Sequence, residues 1–143
     1  MAVLDPADFF HVGLVVEDVV PAMEELTRVL GLAWRGRIEG VSIMRRGTEE
    51  RRVPVDAVYS IEGPPYVELI RALPGTVWTS PGLHHFGYWA QDVSATAARL
   101  EGAGVPEVAG FVRDGQLLGT YHRSASGTYI ELIAASSRAR ILK

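Results

Sequence analysis

Leu83-His84-His85-Phe86-Gly87-Tyr88-Trp89-Ala90-Gln91-Asp92-Val93 repeats an earlier stretch, Phe10-His11-Val12-Gly13-Leu14-Val15-Val16-Glu17-Asp18-Val19. In both, a His-x-Gly opens a short apolar run that an Asp-Val closes, so His11 matches His85 and Asp18 matches Asp92 at one constant offset. The correspondence resumes downstream, where Tyr66-Val67-Glu68-Leu69-Ile70 returns as Tyr129-Ile130-Glu131-Leu132-Ile133. The chain reads as two halves. Each begins with a histidine and ends in a strand-like run with a carboxylate at its centre.

Periodicity switches in the same order within each half. Phe9 to Val16 is apolar throughout, as expected of a strand covered on both faces, and Asp18 then offers an N-cap to a helix running to about Leu30. Ala22, Met23, Leu26, Val29 and Leu30 supply its expected buried stripe, Pro21 falls in the first turn, and Gly31 ends it. In the second half Asp92 caps, Ala95, Ala98 and Leu100 form the expected stripe, and Gly102 and Gly104 terminate. Three strands follow each helix. The first set spans residues 33–38 or onward to 44, then 53–61 and 66–72; the second spans 107–113, 116–123 and 128–134. The order βαβββ, twice, predicts one α+β domain over 1–143: a first module at about 8–73, a linker at 74–82, a second module at about 83–135 and a tail at 136–143.

Composition narrows the chemistry. A chain of 143 residues with 48% hydrophobic content suits one domain with a real core. A net charge of −3, with no long basic cluster, leaves no electrostatic footprint for nucleic acid. The local cluster Arg45, Arg46, Arg51 and Arg52 reads as a solvated strand edge that resists pairing. With no cysteine there is neither a disulfide framework nor a thiolate ligand, so any transition metal must be held by imidazole and carboxylate, which favours Zn, Ni, Fe, Co or Mn. The N-terminus lacks a basic leader, and no apolar run approaches the about 20 residues of a membrane span, so a cytoplasmic protein is expected.

These repeats, together with the Gly82-Leu83-His84-His85 run, resemble the vicinal oxygen chelate superfamily, which includes glyoxalase I, methylmalonyl-CoA epimerase, extradiol dioxygenases and antibiotic-resistance proteins. The resemblance spans almost the whole chain and is strongest to the epimerase and glyoxalase branch. It implies two βαβββ modules curled into a cupped mixed sheet with helices outside, and one divalent metal held by His11, Glu68, His85 and Glu131. It also implies an isomerase or lyase that works through a metal-bound enolate. Two departures stand out. Ile43 occupies the position of the epimerase's proposed catalytic glutamate, and Arg123 follows His122 where the epimerase carries a lysine-containing run. An antibiotic-binding protein without a metal and an iron-dependent extradiol dioxygenase are the alternatives. Four ligand residues argue against the first, and two carboxylates argue against the second.

Strand alternation gives the carry-over independent support, since one histidine and one central glutamate per module can point into one cavity, where unpaired carboxylates would be costly to bury without a cation. By the same parity His84 faces the helix layer or solvent, and Val15, Trp89, Tyr66 and Tyr129 line the substrate pocket. A two-residue turn at Ser126-Gly127 would set His122 opposite Glu131, and a turn at Gly63-Pro64 would set Tyr59 opposite Glu68. His122 is then the expected proton-moving base and Tyr59 a hydrogen-bond donor to the substrate oxygen. The expected partners are a small carbonyl-containing substrate and a second copy of the chain, the latter because an open sheet leaves edges to cover.

Overall fold

The computed structural model describes residues 2–143. A βαβββ unit occurs twice: β1 (Phe9–Val16), α1 (Val19–Leu30), β2 (Ile38–Arg46), β3 (Glu49–Tyr59) and β4 (Tyr66–Arg71), then β5 (Gly82–Ala90), α2 (Val93–Gly102), β6 (Glu107–Arg113), β7 (Gln116–Arg123) and β8 (Tyr129–Ala134). A short helix, α3 (Arg138–Ile141), follows. The eight strands form one ring in the order β1-β4-β3-β2-β6-β7-β8-β5. Two seams join the halves. β1 runs antiparallel to β5, while β2 meets β6 only through Ile43↔Val112, Met44↔Phe111 and Arg45↔Gly110. Because the ring closes within one chain, the open edges that favoured a second copy are covered, and the expected homodimer loses that support.

Inside the ring Val15, Met44, Val53, Ala57, Ile70, Val77, Trp78, Ala109 and Tyr121 form a continuous apolar core. The linker residues Thr76, Val77 and Trp78 are buried with it, so this loop threads beneath the sheet instead of standing outside it. α1 and α2 cover the outer face. Gly31 closes α1 with φ 73°, a left-handed conformation that glycine adopts without a Cβ penalty. Asp92 caps α2 by accepting from the Ala95 amide at 3.0 Å, whereas Asp18 makes no side-chain cap bond.

Both helix stripes differ from expectation. In α1, Val19, Ala22, Met23 and Leu26 pack over Val58 and Leu69, but Val29 and Leu30 are exposed because the last turn runs past the sheet. In α2 the buried residues are Val93, Ala97 and Leu100, at the i, i+4, i+7 spacing of one helix face, and Ala95 and Ala98 face outward. The strand expected from Ala33 starts only at Ile38, and Trp34 contributes one isolated bridge to Ser60.

The β1–β5 register carries two shifts that strict alternation could not foresee. Phe9 pairs with Tyr88 and His11 with Gly87, leaving Phe10 extra on β1; Gly13 pairs with His85 and Leu14 with Leu83, leaving His84 extra on β5. Each is a β-bulge at the residue before the repeat's histidine, and a bulge turns two consecutive side chains to one face. Phe10 and His84 are accordingly buried. The expectation that His84 faces helix or solvent is thereby corrected.

Candidate metal centre

β1, β4, β5 and β8 bring His11, Glu68, His85 and Glu131 together, all buried, with one donor atom of each within 4.8 Å of the others. His11 Nε2 lies 2.9 Å from His85 Nε2, 3.3 Å from Glu68 Oε1 and 3.0 Å from Glu131 Oε1. His85 Nε2 lies 2.9 Å from Glu68 Oε1 and 3.1 Å from Glu131 Oε1. Donors held at about 2.1 Å from one ion, at right angles to one another, are separated by about 3.0 Å, so these spacings fit a divalent transition metal. A further observation supports that fit. Glu131 Oε1 is near both imidazole nitrogens yet off-line for a hydrogen bond to either, and it has no hydrogen-bond partner among the described residues. A buried carboxylate oxygen in that state calls for a cation.

The electrostatics agree with a site charged for a metal. Burial opposes protonation of His85, but Glu131 and Glu68 outweigh it and lift its pKa to about 9. His11 is raised for the same reason, against its own burial, by Glu131 and Glu68. Burial would raise both carboxyl groups, yet the two histidines hold Glu68 and Glu131 below the usual carboxylate range.

The His-x-Gly motif has a crossed logic. A Cβ on Gly13 would overlap the His85 ring, and a Cβ on Gly87 would overlap the His11 ring. Each half's glycine thus makes room for the other half's histidine, which is why the motif needs both residues at that spacing.

Tyr59 pairs with Glu68 across β3 and β4 as expected. On the other side the register differs: Tyr121 pairs with Glu131, and His122 pairs with Ile130. The loop between β7 and β8 is longer than two residues, which slips the pairing by one position and reverses the faces. His122 is fully buried on the opposite side, its ring nitrogens 3.1 Å from the Val105 carbonyl and 3.0 Å from Thr120 Oγ1. This corrects its expected role as base. Tyr121 is the residue that sequence reasoning missed. Burial and the two glutamates push the hydroxyls of Tyr59 and Tyr121 well above the ordinary tyrosine range, so both stay protonated. Tyr121 also accepts from the Trp78 indole at 3.1 Å.

The four residues expected to line the substrate pocket are largely committed to packing. Val15 sits in the inner core, and Trp89 stacks on Phe10 with centroids 3.6 Å apart. Tyr66 lies under the Arg35 guanidinium, and Tyr129 packs against His84. None of them lines a cavity of about 490 Å³ that opens beside the start of β2, where that strand pairs with β3 but not with β6, and that is bordered by Ile38, Val55, Phe111, Arg52, Arg113 and Arg140. α3 touches both surroundings: Arg140 borders the cavity, while Ile141 belongs to the buried cluster of Tyr59, Tyr66, Phe10 and Ile133. Arg35 pins the tail by donating to the Leu142 carbonyl at 3.0 Å and is itself anchored on the Ser60 carbonyl at 3.0 Å.

Fold and site together define a duplicated βαβββ barrel with two histidines and two glutamates at its centre. The chain belongs to the glyoxalase/bleomycin resistance protein/dioxygenase superfamily, whose family model matches residues 10–122. No curated protein sequence matches it. Among solved structures it resembles the methylmalonyl-CoA epimerase from Mycobacterium tuberculosis at 19% identity, over 89% of this chain and 87% of that one, with a TM-score of 0.58. A methylmalonyl-CoA epimerase in complex with methylmalonyl-CoA and NH4+ matches at 17% identity over 91% and 95% of the two chains, with a TM-score of 0.60. A variant of the Streptomyces coelicolor methylmalonyl-CoA epimerase in complex with 2-nitronate-propionyl-CoA matches with the same values. At these identities the likeness is one of fold.

Proposed function

We propose that this chain is a metal-dependent isomerase or lyase that moves a proton next to the carbonyl of a small substrate, with His11, Glu68, His85 and Glu131 as ligands. The observation that carries the reading is the convergence of four buried donors at metal-ligand spacing, one of them a carboxylate oxygen with no hydrogen-bond partner among the described residues. A divalent ion (Zn, Ni, Co, Mn or Fe) bound there would stabilise negative charge developing on a carbonyl oxygen. Tyr59 and Tyr121, kept protonated, would donate hydrogen bonds beside it and are unsuited to act as bases. His122 is out of reach and Ile43 carries no carboxylate, so among the residues in the cup Glu68 and Glu131 are the proton acceptors this reading favours. Arg52, Arg113 and Arg140 outnumber Glu39 and Asp114 around the cavity, which favours an anionic substrate.

Protein purified without chelators should contain about one divalent ion per chain, and Glu131→Gln should weaken zinc binding by more than about 100-fold. Metal-dependent incorporation of solvent deuterium α to the carbonyl, across a panel of carboxylated carbonyl compounds, would support the enzyme. A metal-free protein that binds aromatic antibiotics tightly would instead support sequestration.

Passage to the centre under this reading leads past α3. Arg35→Ala removes the tail's anchor and should speed metal stripping by a strong chelator by about tenfold, the effect of losing one charge-assisted hydrogen bond. An unchanged stripping rate would show that the tail does not control access.

A further inference from the structure

We infer that His84 is a positioning residue which keeps the proton of His85 on Nδ1 and so aims a bare Nε2 at the metal centre. The inference rests on the proposed metal reading. The β5 bulge turns His84 and His85 to the same face, and their Nδ1 atoms meet at 2.8 Å. The other nitrogen of His84, Nε2, lies 2.8 Å from the Val77 carbonyl oxygen. A carbonyl oxygen can only accept, so His84 Nε2–H donates to it, and in the neutral ring Nδ1 is then a lone pair. The proton between the two rings therefore belongs to His85 Nδ1, which donates to His84. His85 Nε2 faces His11, Glu68 and Glu131: in the protonated ring it donates to Glu68 Oε1 at 2.9 Å, and once that proton is lost, with Nδ1–H still held by His84, it is the bare donor a metal needs. Were the proton placed the other way, a neutral His85 would carry hydrogen on Nε2, pointing at the other donors and blocking a metal.

The packing holds His84 in this role. Its ring lies 4.6 Å from the Tyr129 ring and 5.6 Å from the Tyr121 ring, and its anchor, Val77, is in the buried linker. The first half offers an internal comparison. Phe10 occupies the equivalent bulge and cannot accept a hydrogen bond, and His11 Nδ1 is buried with no hydrogen-bond partner among the described residues. The two imidazoles are therefore unequal, with His85 oriented by a hydrogen-bonded relay and His11 by packing alone.

The informative variant is His84→Phe, which gives the second half the residue of the first. Metal-free protein would be titrated with zinc by calorimetry, using the wild type, His84→Phe and His84→Gln, whose side-chain oxygen can still accept. We expect binding about 10- to 100-fold weaker in His84→Phe, with recovery in His84→Gln to within about threefold of wild type. Nitrogen-15 spectra of the zinc-loaded wild type should show His84 as the Nε2–H tautomer, donating to the Val77 carbonyl with its Nδ1 bare towards His85. Equal zinc affinity in wild type and His84→Phe, or an Nδ1–H tautomer of His84 in the zinc-loaded wild type, would overturn this inference alone. A wild type that binds no divalent metal would overturn the metal reading and this inference with it. If His84→Phe does not fold, the wild-type tautomer still decides.

Discussion

Gly87→Ala should abolish metal binding while leaving the backbone of β5 free of conformational strain. A methyl group there overlaps the His11 ring, and the fully buried imidazole has no room to retreat. Gly13→Ala should do the same through His85. Overpacking of this kind costs about 1–3 kcal/mol of stability, and ligand displacement should weaken zinc binding by at least about 1,000-fold because one of four donors is lost. Gly40→Ala is the control, since a methyl group at that position meets nothing within 4 Å. Zinc titration of the three variants decides the matter. Retained affinity in Gly87→Ala would mean that the His11 ring sits elsewhere in solution.

The second large effect is a pH dependence that metal should remove. His85 has a pKa of about 9 in the folded chain against an ordinary 6.5, so its charge stabilises the metal-free protein fully below pH 6.5, and this contribution disappears as pH rises through 9. The shift corresponds to about 3 kcal/mol, and His11 adds to it with the same sign. Glu68 and Glu131 act oppositely. Their lowered pKa values contribute stability above their ordinary range near 4.5 that is lost as pH falls. Metal-free protein should therefore resist urea best between about pH 5 and 6.5 and weaken towards pH 9, whereas zinc replaces the histidine protons and should level that decline. A metal-free urea midpoint that stays constant from pH 6.5 to 9 would contradict the electrostatic account.

Much of this architecture was legible in the sequence because it is written twice. The spacing of His11 and Glu68 against His85 and Glu131 revealed the two units, and the burial of both faces of β1 explains why its apolar run had no alternation to misread. The structure brings these four residues together, as the repeat and the family resemblance implied. What the sequence concealed were events that break a period. A bulge changes face without changing composition, so His84 read as an outward residue although it touches His85. The β7–β8 loop slipped one register and exchanged His122 for Tyr121, because loop length depends on local backbone geometry that Ala125-Ser126-Gly127-Thr128 does not specify uniquely. The short α3 gave no periodic signal, yet its Ile141 joins the buried cluster that holds Tyr59. Trp89 and Val15 have the inward parity expected of them, and are occupied by neighbours that come from distant parts of the chain.

The crossed fit of Gly13 with the His85 ring and Gly87 with the His11 ring means that neither βαβββ unit holds a complete centre. One unit supplies a notch and a ring, and it needs a second unit to supply the complementary ring and notch. Two identical copies of such a unit could satisfy each other across a twofold axis, with a single ion on that axis as the rivet. Joining them in one polypeptide keeps the axis but releases the halves from being identical. Phe10 and His84 occupy corresponding places on its two sides, one inert and one able to accept a hydrogen bond. The centre can thus have a tethered side and a looser side, an inequality that a strictly symmetric pair could not possess.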